Sequence, residues 1–232
     1  MAPEISLVEL FIGFIPVSIV LFLLWRTSQG VKRGLSAIAR MFIQLMLVGY
    51  ALLFIFENPS PLLTSSLLAA MTLVASWIAL NVGESVNLKL FVAALIAICL
   101  GGGSVLIVVT QGVLDIEPWY NPRYLLPLAG MIFTSSMTAI SLSLERFESE
   151  LNMGLAPEIA LNKAFNAAMI PVINSMLAVG VVSLPGMMTG QILSGVEPVV
   201  AARYQIMVMC MIFSATGLTV FTFIHFLSKN ET

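Results

Sequence analysis

Seven stretches of about 20 mostly apolar residues, each long enough to cross a hydrocarbon layer as a helix, follow one another along this chain. They are Ile5–Trp25, Leu35–Phe56, Leu62–Leu80, Leu90–Thr110, Tyr124–Leu144, Met169–Thr189 and Tyr204–Leu227. Chain breakers occupy the links: Asn58-Pro59-Ser60-Pro61, Glu117-Pro118 with Asn121-Pro122, and Glu197-Pro198. The link Asn81–Lys89 is weakly polar, and its boundary is the most weakly marked. Only 9% of the residues are charged, against about 25% in a soluble domain, so the chain cannot cover itself in water. With a net charge of −2 and no basic tract, nothing points to a nucleic-acid partner. The expected fold is all-α: a polytopic transmembrane bundle of about seven spans, forming a single domain over residues 1–232.

The first run is read as a permanent anchor rather than a cleaved signal. A signal needs positive charge before its apolar segment, whereas Glu4 precedes this run and Arg26, Lys32 and Arg33 follow it. Lysine and arginine near span ends also set orientation, because they favour the cytoplasmic side. Placing the N-terminus outside collects Arg26, Lys32, Arg33, Arg40, Lys89, Arg146, Lys163 and Lys229 inside, and leaves only Arg123 and Arg203 outside. The C-terminus is then inside. An odd number of spans disfavours two equal inverted halves.

One connector, Glu145–Ala168, carries both charge and helical periodicity. Gly154 suits the left-handed cap of a helix leaving the fifth span. Pro157 suits the first turn of a new helix, with Glu158 near its positive end. A helix, an elbow and a second helix at the cytoplasmic surface are expected. The segment reads either as an interfacial amphipathic helix or as a docking device for a cytoplasmic partner.

The sixth run holds polar residues and a break. Pro185-Gly186 should interrupt the helix, and freed backbone groups at membrane depth need protein or a wet cavity to satisfy them. Ser183, Thr189 and Gln191 beside the break, and Asn174 within the run, could line a pathway or simply accompany a packed kink. Gly186 and Gly190 have the spacing that lets another helix approach.

Other chemistry is sparse. Cys99 and Cys210 lie in apolar runs and read as packing residues. One histidine and two separated cysteines form no recognisable ligand cluster. Met187, Met188, Met207, Met209 and Met211 offer thioethers, though methionine is mainly a filler. For a harder ion, the oxygens of Glu9, Asn174, Gln191 and Gln205 are the candidates. Gly101-Gly102-Gly103-Ser104 with His225 raises an intramembrane Ser/His enzyme, but the glycines better suit close helix packing. No GxxxxGK[ST] phosphate loop is present.

The stretch Met169–Ile206, with IPVINSM, VSLPGMMTGQILSG, Pro198 and AARYQI, closely resembles the FetB (YbbM) family of ABC-transporter permeases. The likeness continues more loosely through Arg40, Gln44, Gly49, Tyr50 and the Glu145–Gly154 connector. Bacterial members are associated with iron export and plant relatives with aluminium tolerance. The resemblance implies a multi-pass permease of the cell inner (plasma) membrane, dimeric, binding no cofactor itself, with ATP used by a separate FetA-like ATPase subunit. It implies coupling through Glu148, Glu150, Gly154, Pro157 and Glu158. Read from the residues themselves, the substrate-pathway candidates are Asn174, Ser183, Pro185, Gly186, Met187, Met188, Thr189, Gly190, Gln191 and Gln205. Glu148, Gly154 and Pro171 are spaced too widely for the coupling-loop signature of ABC importers. A channel or ion-coupled carrier acting alone is the competing expectation.

Overall fold

Proline opens four of the long helices: Pro61, Pro122, Pro157 and Pro198 stand at or beside their first positions. The missing N–H costs nothing there, and the fixed φ is already helical. The structure, a computed structural model, describes residues 7–26, 31–81 and 87–230. Ile5, Glu4 and most of the Asn81–Lys89 link lie outside the described residues. Among those residues there is no strand, only an isolated bridge between Val179 and Ser183. The chain divides into two compact units, Met1–Asn58 and Pro59–Thr232.

The first unit holds α1 (Leu7–Ile12), α2 (Phe14–Arg26) and α3 (Val31–Glu57). Gly13 separates α1 from α2, so the first expected span is two short helices. α3 exposes Phe42, Ile43, Leu45, Met46 and Leu47 in succession. A helix apolar on every side is built for a buried or lipid environment.

The second unit holds α4 (Pro61–Ala79), α5 (Leu88–Val113), α6 (Pro122–Asn152), α7 (Pro157–Ala178), α8 (Gly186–Leu193) and α9 (Pro198–Asn230). α9 is central and packs against α5, α6, α7 and α8. α4 lies on α6, tied at both ends: the Thr64 hydroxyl donates to the Tyr120 carbonyl (3.0 Å) and the Ser141 hydroxyl to the Ala79 carbonyl (2.7 Å).

α5 passes through two π-helical turns, Ile98–Gly103 and Val108–Val113. The first is the tightest crossing in the unit. A Cβ on Gly101 would lie 2.7 Å from the Thr219 Cα, and one on Gly102 would lie 2.8 Å from the Ile132 Cγ2. Beside this crossing the fully buried Ser136 and Thr219 hydroxyls share a hydrogen bond of 3.1 Å. The expectation that these glycines admit a neighbouring helix holds for Gly101 and Gly102, whereas Gly103 faces open space.

Among the described residues, five segments are long and apolar enough to cross a membrane: Gly34–Glu57, Pro61–Ala79, Leu88–Val113, Pro122–Asn152 and Pro198–Leu227. The expected first span is divided at Gly13. The expected sixth, Met169–Thr189, is divided between α7 and α8. α7 is long enough to span, but its first half carries Glu158 and Lys163.

Gly101→Val forces side-chain atoms into the α9 backbone and should cost about 1–3 kcal/mol of stability. Gly103→Ala should be neutral or slightly stabilising. Unfolding of both variants in detergent, followed by circular dichroism, measures the contrast; equal stability would show that the crossing is looser than described.

Candidate functional site: a cleft along one face of the last helix

Ala202, Gln205, Met209, Ile212 and Thr216 recur on α9 at steps of three and four, so they form one stripe. The stripe runs about 21 Å along the axis at 1.5 Å per residue. Two clefts lie over it and meet at Met209. The first, about 250 Å³, is rich in hydroxyls: Thr134, Ser135 and Thr138 from α6, Ser175 from α7, and Thr216. The second, about 320 Å³, is rich in sulfur: Met176 from α7, Met188 from α8, and Met209 and Cys210, with Gln205 among them.

The α7 backbone shapes both. Pro171 lines the hydroxyl cleft, and its ring cannot donate to the carbonyl one turn earlier, that of Ala167. α7 stops at Ala178 because Gly180 takes a φ of +82°, a conformation that glycine enters without steric cost. The chain folds back at once, with the Val182 and Ser183 amides both donating to the Ala178 carbonyl at 2.8 and 3.2 Å. Pro185 then caps α8. The interruption therefore centres on Gly180, and Pro185-Gly186 begins the next helix rather than breaking one.

Of the expected pathway residues, Met188 and Gln205 line the sulfur-rich cleft. Asn174, Ser183, Pro185, Gly186, Met187, Thr189, Gly190 and Gln191 line neither cleft. Asn174 is exposed, Met187 packs on the core, and the Thr189 hydroxyl donates to the Pro185 carbonyl (3.1 Å). Gly186 and Gly190 have no neighbour within 4 Å of where a Cβ would stand, so no helix uses their spacing within the described residues. Apart from Glu150 Oε1, which is ion-paired with Arg146, three buried side-chain oxygens find no hydrogen-bond partner among the described residues: Gln191 Oε1, Gln205 Oε1 and Thr216 Oγ1. The last two belong to the stripe. Gly180, Met176, Ser175 and Thr216 were not singled out from sequence; the composition of AVGVVSLPG gave Gly180 no distinguishing mark.

The turn at Gly154 between α6 and α7 forms as expected, but no separate surface helix follows it: α7 runs unbroken from Pro157 to Ala178. Gly154 has a φ of +81°. Its amide donates to Leu151 (2.8 Å) and that of Leu155 to Glu150 (3.2 Å), the paired bonds of a Schellman cap. Gly154, Pro157 and Glu158 are exposed at the tip, and Glu148 is half-buried. Glu150 is different: it is 1% exposed, held by Lys163 Nζ across the elbow (2.8 Å) and by Arg146 one turn back. Its carboxylate joins α6 to α7 and is not offered to the surface.

Ser104 and His225 do not form a dyad. α5 and α9 run antiparallel, since Gly101 meets Thr219 while Val113 shares a cleft with Met207. Ser104 and His225 therefore fall on opposite sides of that crossing, about 13 Å apart along the axis. Cys99 and Cys210 are both free thiols. No group of three His, Cys, Asp or Glu side chains is placed to hold a metal among the described residues.

These features define an all-helical, multi-pass membrane protein with clefts along its central helix. The chain belongs to the UPF0014 family, described as an uncharacterised protein family, whose sequence pattern matches residues 7–231. A UPF0014 membrane protein of Synechocystis is 34% identical over 225 residues, covering 90% of this chain and 86% of the relative. The probable iron export permease protein FetB of Escherichia coli is 33% identical over 204 residues, covering 81% and 77%. Protein ALUMINUM SENSITIVE 3 of Arabidopsis thaliana is 31% identical over 203 residues, covering 80% and 72%. No solved structure matches. The resemblance read from LPGMMTGQI thus extends over most of the chain.

Removing both cations (Arg146→Met with Lys163→Met) leaves the Glu150 carboxylate without its partners and should destabilise the fold. Glu150→Gln leaves two half-exposed cations that can turn to water, and should cost less. Denaturant titration in detergent ranks the two; the reverse order would mean that Glu150 is hydrated.

Proposed function

We propose that this chain is the membrane-spanning permease subunit of an ABC-type transporter that exports a metal ion, iron first among the candidates. A separate ATPase subunit, like the FetA expected from the resemblance, hydrolyses the ATP. Two copies of this chain and two ATPases make the working unit in the cell inner membrane.

One observation carries the reading: a single helix, α7, both leaves the elbow and walls the clefts. Pro157 and Lys163 stand at its elbow end, while Ala168, Pro171, Val172 and Ser175 line the hydroxyl cleft farther along. A displacement applied to the elbow tip is delivered along α7 to the cleft wall, with Pro171 as the place to bend. The buried Glu150 ties α6 to α7, so the elbow moves as a unit. Lysine and arginine placement favours a cytoplasmic elbow, the side where ATP is available. The sequence contains no phosphate-binding GxxxxGK[ST] loop, which supports a motor on a separate chain. The name of the Escherichia coli relative supports iron as cargo. Alternating access follows if the ATP-bound partner binds the two states of the bundle unequally.

Proteoliposomes containing this chain and its co-expressed ATPase should move iron only when ATP is supplied. Gly154→Val, strained at a positive φ, should leave ATP hydrolysis running while iron flux falls by about tenfold, a coupling loss of about 1.4 kcal/mol. Flux that continues without ATP would instead assign the chain to stand-alone channels or ion-coupled carriers.

A further inference from the structure

We infer that the sulfur-rich cleft between α7, α8 and α9 is a binding site for a soft, singly charged cation of the copper(I) or silver(I) type. Its donors are the thioethers of Met176, Met188 and Met209, the thiol of Cys210 and the carboxamide oxygen of Gln205. They come from three helices, so one bound ion would clip all three together.

Donor type and charge both select the ion. Thioether and thiol sulfurs favour copper(I) among the biological metals. The cleft contains no carboxylate and no imidazole. The cost of taking an ion out of water rises with the square of its charge, and neutral donors cannot offset that cost for a divalent or trivalent ion. Gln205 and Cys210 lie within about 12 Å of the midpoint of the apolar segment Pro198–Leu227, well inside a hydrocarbon layer about 30 Å thick. A monovalent, easily polarised cation is the one that this lining can hold.

Two observations separate the cleft from ordinary methionine packing. Met187 and Met207, sequence neighbours of the same type, pack against the hydrophobic core, whereas Met176 and Met188 belong to neither core cluster. Gln205 is 6% exposed, and its Oε1 accepts no hydrogen bond from the described residues. An unpaired buried carbonyl is costly, and a cation against it removes that cost. The site goes beyond the iron-export reading and depends on it only for what the bound ion would do in a cell.

Silver(I) is the probe, because it has the required softness and, unlike copper(I), is not oxidised by air. Calorimetric titration of the full chain in lipid nanodiscs, in a Cys99→Ala background, should show one silver ion per chain and no heat with magnesium. Changing Met176, Met188 and Met209 together to leucine preserves volume and should weaken silver binding by about tenfold or more, or about 1.4 kcal/mol or more. Gel filtration checks that this variant stays folded, and Gln205→Leu alone should weaken binding without altering assembly. Equal silver affinity in the triple variant, or no silver binding by the parent, overturns the assignment. ATP-driven iron flux with no silver site would sink this inference alone. A silver site without ATP-driven flux would sink the transporter reading alone.

Discussion

The approach of α5 to α9 at Gly101 sets the geometry on which the second unit depends. Lipid tails are as apolar as leucine, so helices inside a bilayer gain little from hiding oily surface from one another. Close backbone contact and interhelical hydrogen bonds must hold them instead. Gly101 and Gly102 supply the first, and the Ser136–Thr219 hydrogen bond supplies the second. Because α9 is fixed along Val208, Met211, Ala215 and Thr219, its stripe from Ala202 to Thr216 is free to line clefts. The same helix is scaffold on one side and site on the other.

α7 connects that site to the elbow. Its start is tied to α6 by a carboxylate gripped from both helices, its middle contains a proline, and its end is cut short by Gly180. A stiff end, a bendable middle and a free reversal suit a part that transmits displacement. The two clefts differ in chemistry along its length, with hydroxyls beyond Pro171 and sulfurs near the reversal.

Much of this was legible in the sequence. Five apolar runs became single long helices because hydropathy over 20 residues leaves a chain few alternatives in lipid. Gly154 and Pro157 were legible because their conformational preferences act locally. The sixth run was misread because Gly180 ends the helix through its φ, which composition does not reveal, while the conspicuous Pro185-Gly186 merely starts the next one. The cleft was mostly illegible: a methionine that packs and one that lines a cleft are the same letter. Met188 and Gln205 were anticipated, but Met176 and Thr216 needed the third dimension. The partners of Glu150 were hidden for a related reason, since Lys163 reaches it only after the chain has turned the elbow.

The central claim is that one stripe of α9 borders a route through the membrane while its other sides meet protein or lipid. Single cysteines placed along α9 in a Cys99→Ala, Cys210→Ala background, and challenged with a hydrophilic thiol reagent, test it most directly. Reaction should concentrate at positions 202, 209, 212 and 216, slow where the side chain is buried, and be lacking at the exposed apolar positions 213 and 221. Labelling without that three-and-four periodicity, or concentrated at 213 and 221, would contradict the account.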